Sequence, residues 1–202
     1  MTRKFYFYFI SIILIFTSCS RKINPNEGYE QIKSKNSVDL FEANNSIAKE
    51  IKVNADFKDK LSLDDSILYY NDSIKSNYKN FTFDLKADKK YKIKVSSLCN
   101  CAGLKKYIFI PKIATGNVNS RINLELDSTY FNYEKGPLTL NKVWSLKSNG
   151  LTENTTMEFL LFSDNEKLSE NVFKFIVTSF GAIPVNIKST LVGNFIIEIE
   201  EH

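Results

Sequence analysis

The sequence predicts an all-β chain, an antiparallel β-sandwich that follows a cleaved signal and a flexible tether. Three observations carry this. From about residue 49 apolar and polar residues alternate with a period of two, which puts one face of each strand in a core and the other in water. The alternating runs are short and are separated by Gly, Asn, Asp and Pro, as in stacked sheets. After the N-terminal signal the one helical pattern is short, Val38 to Ala48, and its Asn44-Asn45 pair weakens it.

Taken in order, Ile51 and Val53 alternate with Lys52 and Asn54. Phe81, Phe83 and Leu85 alternate with Thr82, Asp84 and Lys86, and Tyr91, Ile93 and Val95 with Lys92, Lys94 and Ser96. Ala87-Asp88-Lys89-Lys90 between them predicts a hairpin turn, since Asp tolerates left-handed backbone. Lys106 to Ile113 is more continuously apolar and predicts a central strand whose regular pairing Pro111 ends. Ile122, Leu124 and Leu126 alternate with Asn123 and Glu125. Further strands are expected at Thr129–Tyr133, Lys142–Leu146, Met157–Phe162, Val172–Thr178, Val185–Lys188 and Asn194–Glu200. No internal repeat or second domain is visible, so residues 39–202 are expected to form a single domain.

The N-terminus predicts an address. Arg3 and Lys4 precede an apolar run, Phe5 to Thr17, of 13 residues. A membrane-spanning helix needs roughly 18 or more apolar residues. A signal-peptide core needs about 7–15, with positive charge before it and small residues after it. Phe16-Thr17-Ser18-Cys19 closes the run and resembles a bacterial lipoprotein signal, with Phe16 where Leu is usual. The resemblance implies that residues 1–18 are removed and that Cys19 becomes an acylated first residue, anchored by its fatty chains. Aspartate after the cysteine typically retains such proteins in the inner membrane; Ser20 stands there instead, which implies the outer membrane. Arg21 and Lys22 are opposite in charge to an acidic surface-export patch, so the periplasmic leaflet is expected, with the cell surface as the alternative. Residues 19–38 are polar and read as the flexible tether.

Charge excludes one class of partner. The 202 residues carry 27 Lys and Arg against 23 Asp and Glu, a net charge of +4. Loss of Arg3 and Lys4 with the signal leaves 184 residues at net +2. Only Arg21 and Arg121 then remain as arginines, and the lysines are dispersed among carboxylates. Nucleic-acid binders cluster Arg and Lys, so none is expected as a partner.

With Cys19 acylated, Cys99 and Cys101 remain as a pair in an oxidising compartment. At i and i+2 they point to the same side of an extended chain, near the upper limit for a disulfide unless the backbone bends, which Ala102-Gly103 permits. A disulfide, two free thiols and a metal or redox site all stay open. A metal site lacks a nearby histidine, since His202 is the only one, and a redox site would be spaced Cys-x-x-Cys.

Glu50-Ile51-Lys52-Val53-Asn54, Leu61-Ser62-Leu63-Asp64-Asp65-Ser66 and the stretch Asn80 to Val95 resemble the first half of a bacterial pre-peptidase C-terminal domain. That family shows a phenylalanine strand, Ala-Gly-Lys and a tyrosine-led strand; here Asp88 replaces the glycine. Val192 to Glu200 resembles such a domain's last strand, while residues 105–170 are longer than the family expects. The resemblance implies a jelly-roll-like sandwich with a binding or stabilising role and no catalytic residues.

Candidate chemistry is sparse. A histidine-based triad has only His202, the last residue, as base. Asp64, Asp65, Glu125, Asp127, Glu134, Glu153 and Glu158 are carboxylates that no spacing pairs as glycoside hydrolysis requires. Leu63-Asp64-Asp65-Ser66 could offer oxygens to calcium but lacks an EF-hand spacing, so no metal and no cofactor are expected. Asp65-Ser66-Ile67, Asp72-Ser73-Ile74 and Asp127-Ser128-Thr129 resemble O-glycosylation sites of some Gram-negative envelope proteins. Tyr69, Tyr70, Tyr78, Tyr130, Phe131, Tyr133 and Trp144 could form a platform for sugar rings, with Tyr130, Tyr133 and Trp144 foremost; the competing reading is that they are core or rim. Phe131 and Tyr133 share one strand face and Tyr130 the other. These readings lead to a non-catalytic, membrane-anchored module that binds or scaffolds an envelope protein or a glycan. The alternatives are a carbohydrate-binding accessory protein and an unrecognised hydrolase.

Overall fold

The structure, a computed structural model, describes residues 22–71, 73–87, 89–102, 105–115, 122–133, 136–148, 153–177 and 183–202. The signal, Cys19, Arg21, Asp72, Asp88, Gly103, Arg121, Glu134 and Thr178 lie outside these residues. Two helices, α1 (Pro25–Lys33) and α2 (Leu40–Ala43), precede the strands. The strands are β1 (Lys49–Glu50), β2 (Asp56–Leu61), β3 (Ile67–Tyr70), β4 (Ile74–Leu85), β5 (Tyr91–Leu98), β6 (Tyr107–Phe109) and β7 (Pro111–Ala114). They continue with β8 (Ile122–Asn132), β9 (Thr139–Ser148), β10 (Thr155–Ser163), β11 (Asn171–Val177), β12 (Ile183–Thr190) and β13 (Gly193–Glu201).

The chain is the expected all-β sandwich. One layer is an antiparallel sheet in the order β2-β13-β5-β9-β8. Facing it is the sheet β1-β4-β10-β7, with β3 paired to β4, and beside that the three-stranded sheet β11-β12-β6. Only Ile110 separates β6 from β7, so one segment passes between these two smaller sheets and joins them into a second layer. Pro111 therefore does not end the pairing as expected. It opens β7, opposite Ser163, because the chain changes sheets there and needs no ladder donor at the bend.

Alternation builds the core. Phe81, Phe83 and Leu85 on β4 and Met157, Phe159 and Leu161 on β10 face Tyr91, Ile93 and Val95 on β5 and Phe195, Ile197 and Ile199 on β13. Edge-to-face rings lock the layers: Phe81 lies 6.1 Å from Phe195 and Phe83 lies 5.8 Å from Tyr91. Those contacts also correct the hairpin expected at Ala87–Lys90. β4 and β5 pair in different sheets, and the turn is an arch between layers. Two alternating runs fit an arch as well as a hairpin, because the pattern states which face is buried and not what lies beside it. Ile51 and Val53 also depart from expectation: the strand stops at Glu50, and both pack against the core from the following turn.

The tether is corrected for its described part. Asn24 caps α1, its side chain accepting from the Asn26 N–H, with Pro25 in the first turn. Ile32 is fully buried against Ile67 and Leu191. Gly28 permits this approach, since a Cβ there would stand 2.8 Å from Leu191 Cδ1. Asp39 caps α2, and Val38, Leu40 and Ala43 cover Leu68, Tyr70, Tyr78, Leu160 and Phe162 on the outer face of the second layer. Polar composition concealed a segment in which Tyr29, Ile32 and Val38 pack against the domain while Ile23 stays exposed. Among the described residues no helix is long and apolar enough to cross a membrane.

Candidate functional site at the disulfide end of the sandwich

β5 ends at Leu98, and the chain turns at once. Cys99 and Cys101 are joined in a disulfide with their Cα atoms 5.1 Å apart, inside the range such a bond requires. The bend is held from both sides. The Cys99 N–H donates to the Leu138 carbonyl at 2.9 Å, and Asn100 exchanges backbone hydrogen bonds with Tyr107. In the structure the two sulfurs therefore hold each other, and the free-thiol and metal readings find no place there.

Lys22 reaches across the start of the domain into this loop. Its ammonium donates to the carbonyl of Asn100 at 3.0 Å and to those of Ala102 and Lys105. Lys106 donates to the Cys101 carbonyl at 2.7 Å. Partial burial, and then the neighbouring Lys106 charge, hold the Lys22 pKa below the usual lysine value. Beside the loop a cavity of about 420 Å³ is lined by Lys22, Lys60, Asn100, Tyr107, Thr190 and Asn194 among others. No Asp or Glu is among its described lining residues.

An aromatic row closes the same end. Phe131 stacks on Phe173 with centroids 4.4 Å apart, and Tyr133 and Phe175 lie 6.3 and 6.1 Å from Phe173. The row packs on Ile108, Leu140 and Ile187, with Cys99 and Cys101 against them. A register shift between Leu126 and Ser128 makes this possible. Before it, Leu124 and Leu126 face inward opposite Leu146 and Trp144; after it, Phe131 lies opposite Leu140. The extra residue, Asp127, turns odd-numbered positions inward and so puts Phe131 and Tyr133 on the core side.

The proposed sugar platform does not assemble. Trp144 is 7 % exposed and belongs to the central core, because β9 presents it inward beside Leu146. Tyr70 and Tyr78 are also buried. Tyr133 is 68 % exposed and Tyr130 44 %, but they sit on opposite faces of the sheet. Tyr133 is thus the exposed member of the row, and Tyr130 stands alone on the outer face.

Several carboxylates meet neutral or basic partners, and Asp59 and Asp65 share Lys79. Asp65 accepts from the Ser62 N–H and pairs with Lys79 at 3.0 Å, which closes the loop considered for calcium. Glu158 accepts from Asn80, Asp127 from Ser145, and Glu200 lies 3.6 Å from His202 at the exposed C-terminus. Among the described residues no group of three or more His, Cys, Asp or Glu converges as a metal site.

Sequence reasoning missed Lys22, Phe173 and Lys142. Lys142 faces inward on β9 between Leu140 and Trp144, and burial holds its pKa below the usual value, partly offset by Asp164 and reinforced by Lys112. A lysine at an inward position of an alternating run was the available signal. Comparison with protein-family models, with curated proteins and with solved structures finds no match for this chain.

Proposed function

We propose that this chain is an envelope lipoprotein, anchored through acylated Cys19, whose sandwich acts as a non-catalytic binding or scaffolding module. The observation that carries the reading is the junction of address and domain. A lipoprotein-like signal ends at Cys19, and ordered structure is already in place at Lys22. A domain that begins where an acyl anchor ends is built for work at a membrane surface. The non-catalytic part is supported by chemistry: His202 sits exposed at the C-terminus, Asp65 is held in an ion pair with Lys79, and Glu158 and Asp127 accept from Asn80 and Ser145. The partner class is an envelope protein or a glycan.

The test is Cys19→Ser in the full chain, expressed in a Gram-negative host with a labelled fatty acid. The wild type is expected to take up label, run as the cleaved form and float with membranes, while the variant does none of these. Equal behaviour of the two proteins overturns the reading. A second reading, glycan binding, is favoured by the exposed Tyr133 ring stacked beside Phe173. Its check is retardation in polysaccharide gels, lost on Tyr133→Ala.

A further inference from the structure

The disulfide end carries an arrangement that goes beyond an anchor. Cys19 precedes Lys22 by three residues, at most about 11 Å of extended chain. Lys22 is not free to swing, since three carbonyls of the disulfide loop hold its ammonium. If Cys19 carries the acyl chains, the headgroup surface lies within that reach of this end of the sandwich.

The surface there suits such a neighbour. Lys60 and Lys105 are exposed at this end, and Lys188 is exposed opposite Tyr107, the bridge partner of Asn100. Ile23 and Tyr133 present exposed apolar surface beside them. Lysines with scattered aromatic and aliphatic side chains form the composition of a lipid-interface patch, which adds to a single covalent anchor. The opposite end is different: Lys86 and Lys89 pair with Glu201 at 3.0 and 3.3 Å.

We propose that the Cys99–Cys101 end of the sandwich lies directly on an anionic phospholipid headgroup surface, which fixes the domain's orientation in place of a free tether. The inference rests on the lipid-anchor reading. Lys22 is the positioning residue: it ties the anchor to the disulfide loop. Lys60, Lys105 and Lys188 face the phosphates. The far end of the domain stands clear, because β5 alone has eight residues and spans roughly 26 Å at about 3.3 Å per residue.

The test uses full-length protein acylated in its host and reconstituted in phosphatidylglycerol–phosphatidylethanolamine vesicles. A fluorophore is placed on Ala102→Cys or, at the far end, on Lys89→Cys, and quenching by headgroup-nitroxide lipid is read. Quenching at position 102 is expected to be several-fold stronger than at 89, and to fall to the level at 89 when Lys60, Lys105 and Lys188 are all replaced by Glu. Equal quenching at both positions in protein that still floats with vesicles overturns the orientation and leaves the anchor standing. Full quenching retained by the triple variant also overturns it. Failure of the wild type to float overturns the anchor reading itself.

Discussion

The middle of the sandwich and its disulfide end are made of the same alternating strands, yet they bury their inner faces to different degrees. In the middle Phe81, Phe159 and Phe195 meet across the layers at 0 or 1 % exposure. At the disulfide end Phe131, Phe173 and Phe175 stack in a row that is only half covered, next to a cavity and a lysine held by carbonyls. Leu126 shows the difference within one strand: it points inward opposite Trp144 and is still 49 % exposed, since β8 is the edge strand of its sheet and, among the described residues, Leu126 is not part of the central core. Alternation assigns a face to a side chain, and only the opposing layer decides whether that face is dry.

The sharpest way to break the comparison is truncation in each region. Phe81→Ala is expected to lower unfolding stability by about 3–5 kcal/mol, as for a fully buried ring. Tyr133→Ala is expected to lie within about 0.5 kcal/mol of wild type, as for a surface site. Urea titrations followed by tryptophan fluorescence report both, and equal losses would erase the distinction between the regions.

Deleting Asp127 addresses how the end is built. Without the extra residue the register runs straight, and either Leu124 and Leu126 or Phe131 and Tyr133 must turn outward. A loss of about 2 kcal/mol is expected, the order for exposing one large apolar side chain. Replacing Cys99 and Cys101 together by Ser is expected to cost about 1.5 kcal/mol, since the closed loop is so short. The same shift in urea midpoint should follow from adding reductant to the wild type.

Lys142 lies at the seam of the two regions, and its substitution is expected to have an effect of the opposite sign. Lys142→Met should raise stability at neutral pH by about 1 kcal/mol, since it trades a desolvated charge for an apolar chain of similar size. The pH dependence follows. Burial lowers the folded-state pKa of Lys142, so the unfolded chain binds more protons in the alkaline range. Its contribution to stability therefore rises with pH through that lowered value and levels off above the ordinary lysine pKa. The Met variant should lack this rise in urea titrations run at successive pH values.

Much of the fold could be read from residues alone. Phe81-Thr82-Phe83-Asp84-Leu85 and Tyr91-Lys92-Ile93-Lys94-Val95 are strands, and their odd-numbered residues are the buried ones. β2 and β3 were harder to see. In Asp56-Phe57-Lys58-Asp59-Lys60-Leu61 charges occupy even the half-buried positions, since Asp59 turns toward Lys49 and Lys79. The site was legible only in its cysteines and in Tyr133. Phe173 comes from a strand 40 residues further along the chain, and Lys22 from a segment whose composition reads as linker.

The sequence by itself determined most of the strands and which side of those strands turns inward, though not β2 and β3. Side-chain alternation is a property of the extended backbone and needs no partner. Only the tertiary structure decided that β4 pairs with β10 while β5 pairs with β13, that Trp144 is covered while Tyr133 is not, and that Lys22 is held on the disulfide loop. The reason is physical: ladder and carbonyl hydrogen bonds use backbone groups that nearly every residue carries, so their choice of partner is set by packing and leaves no signature in local sequence.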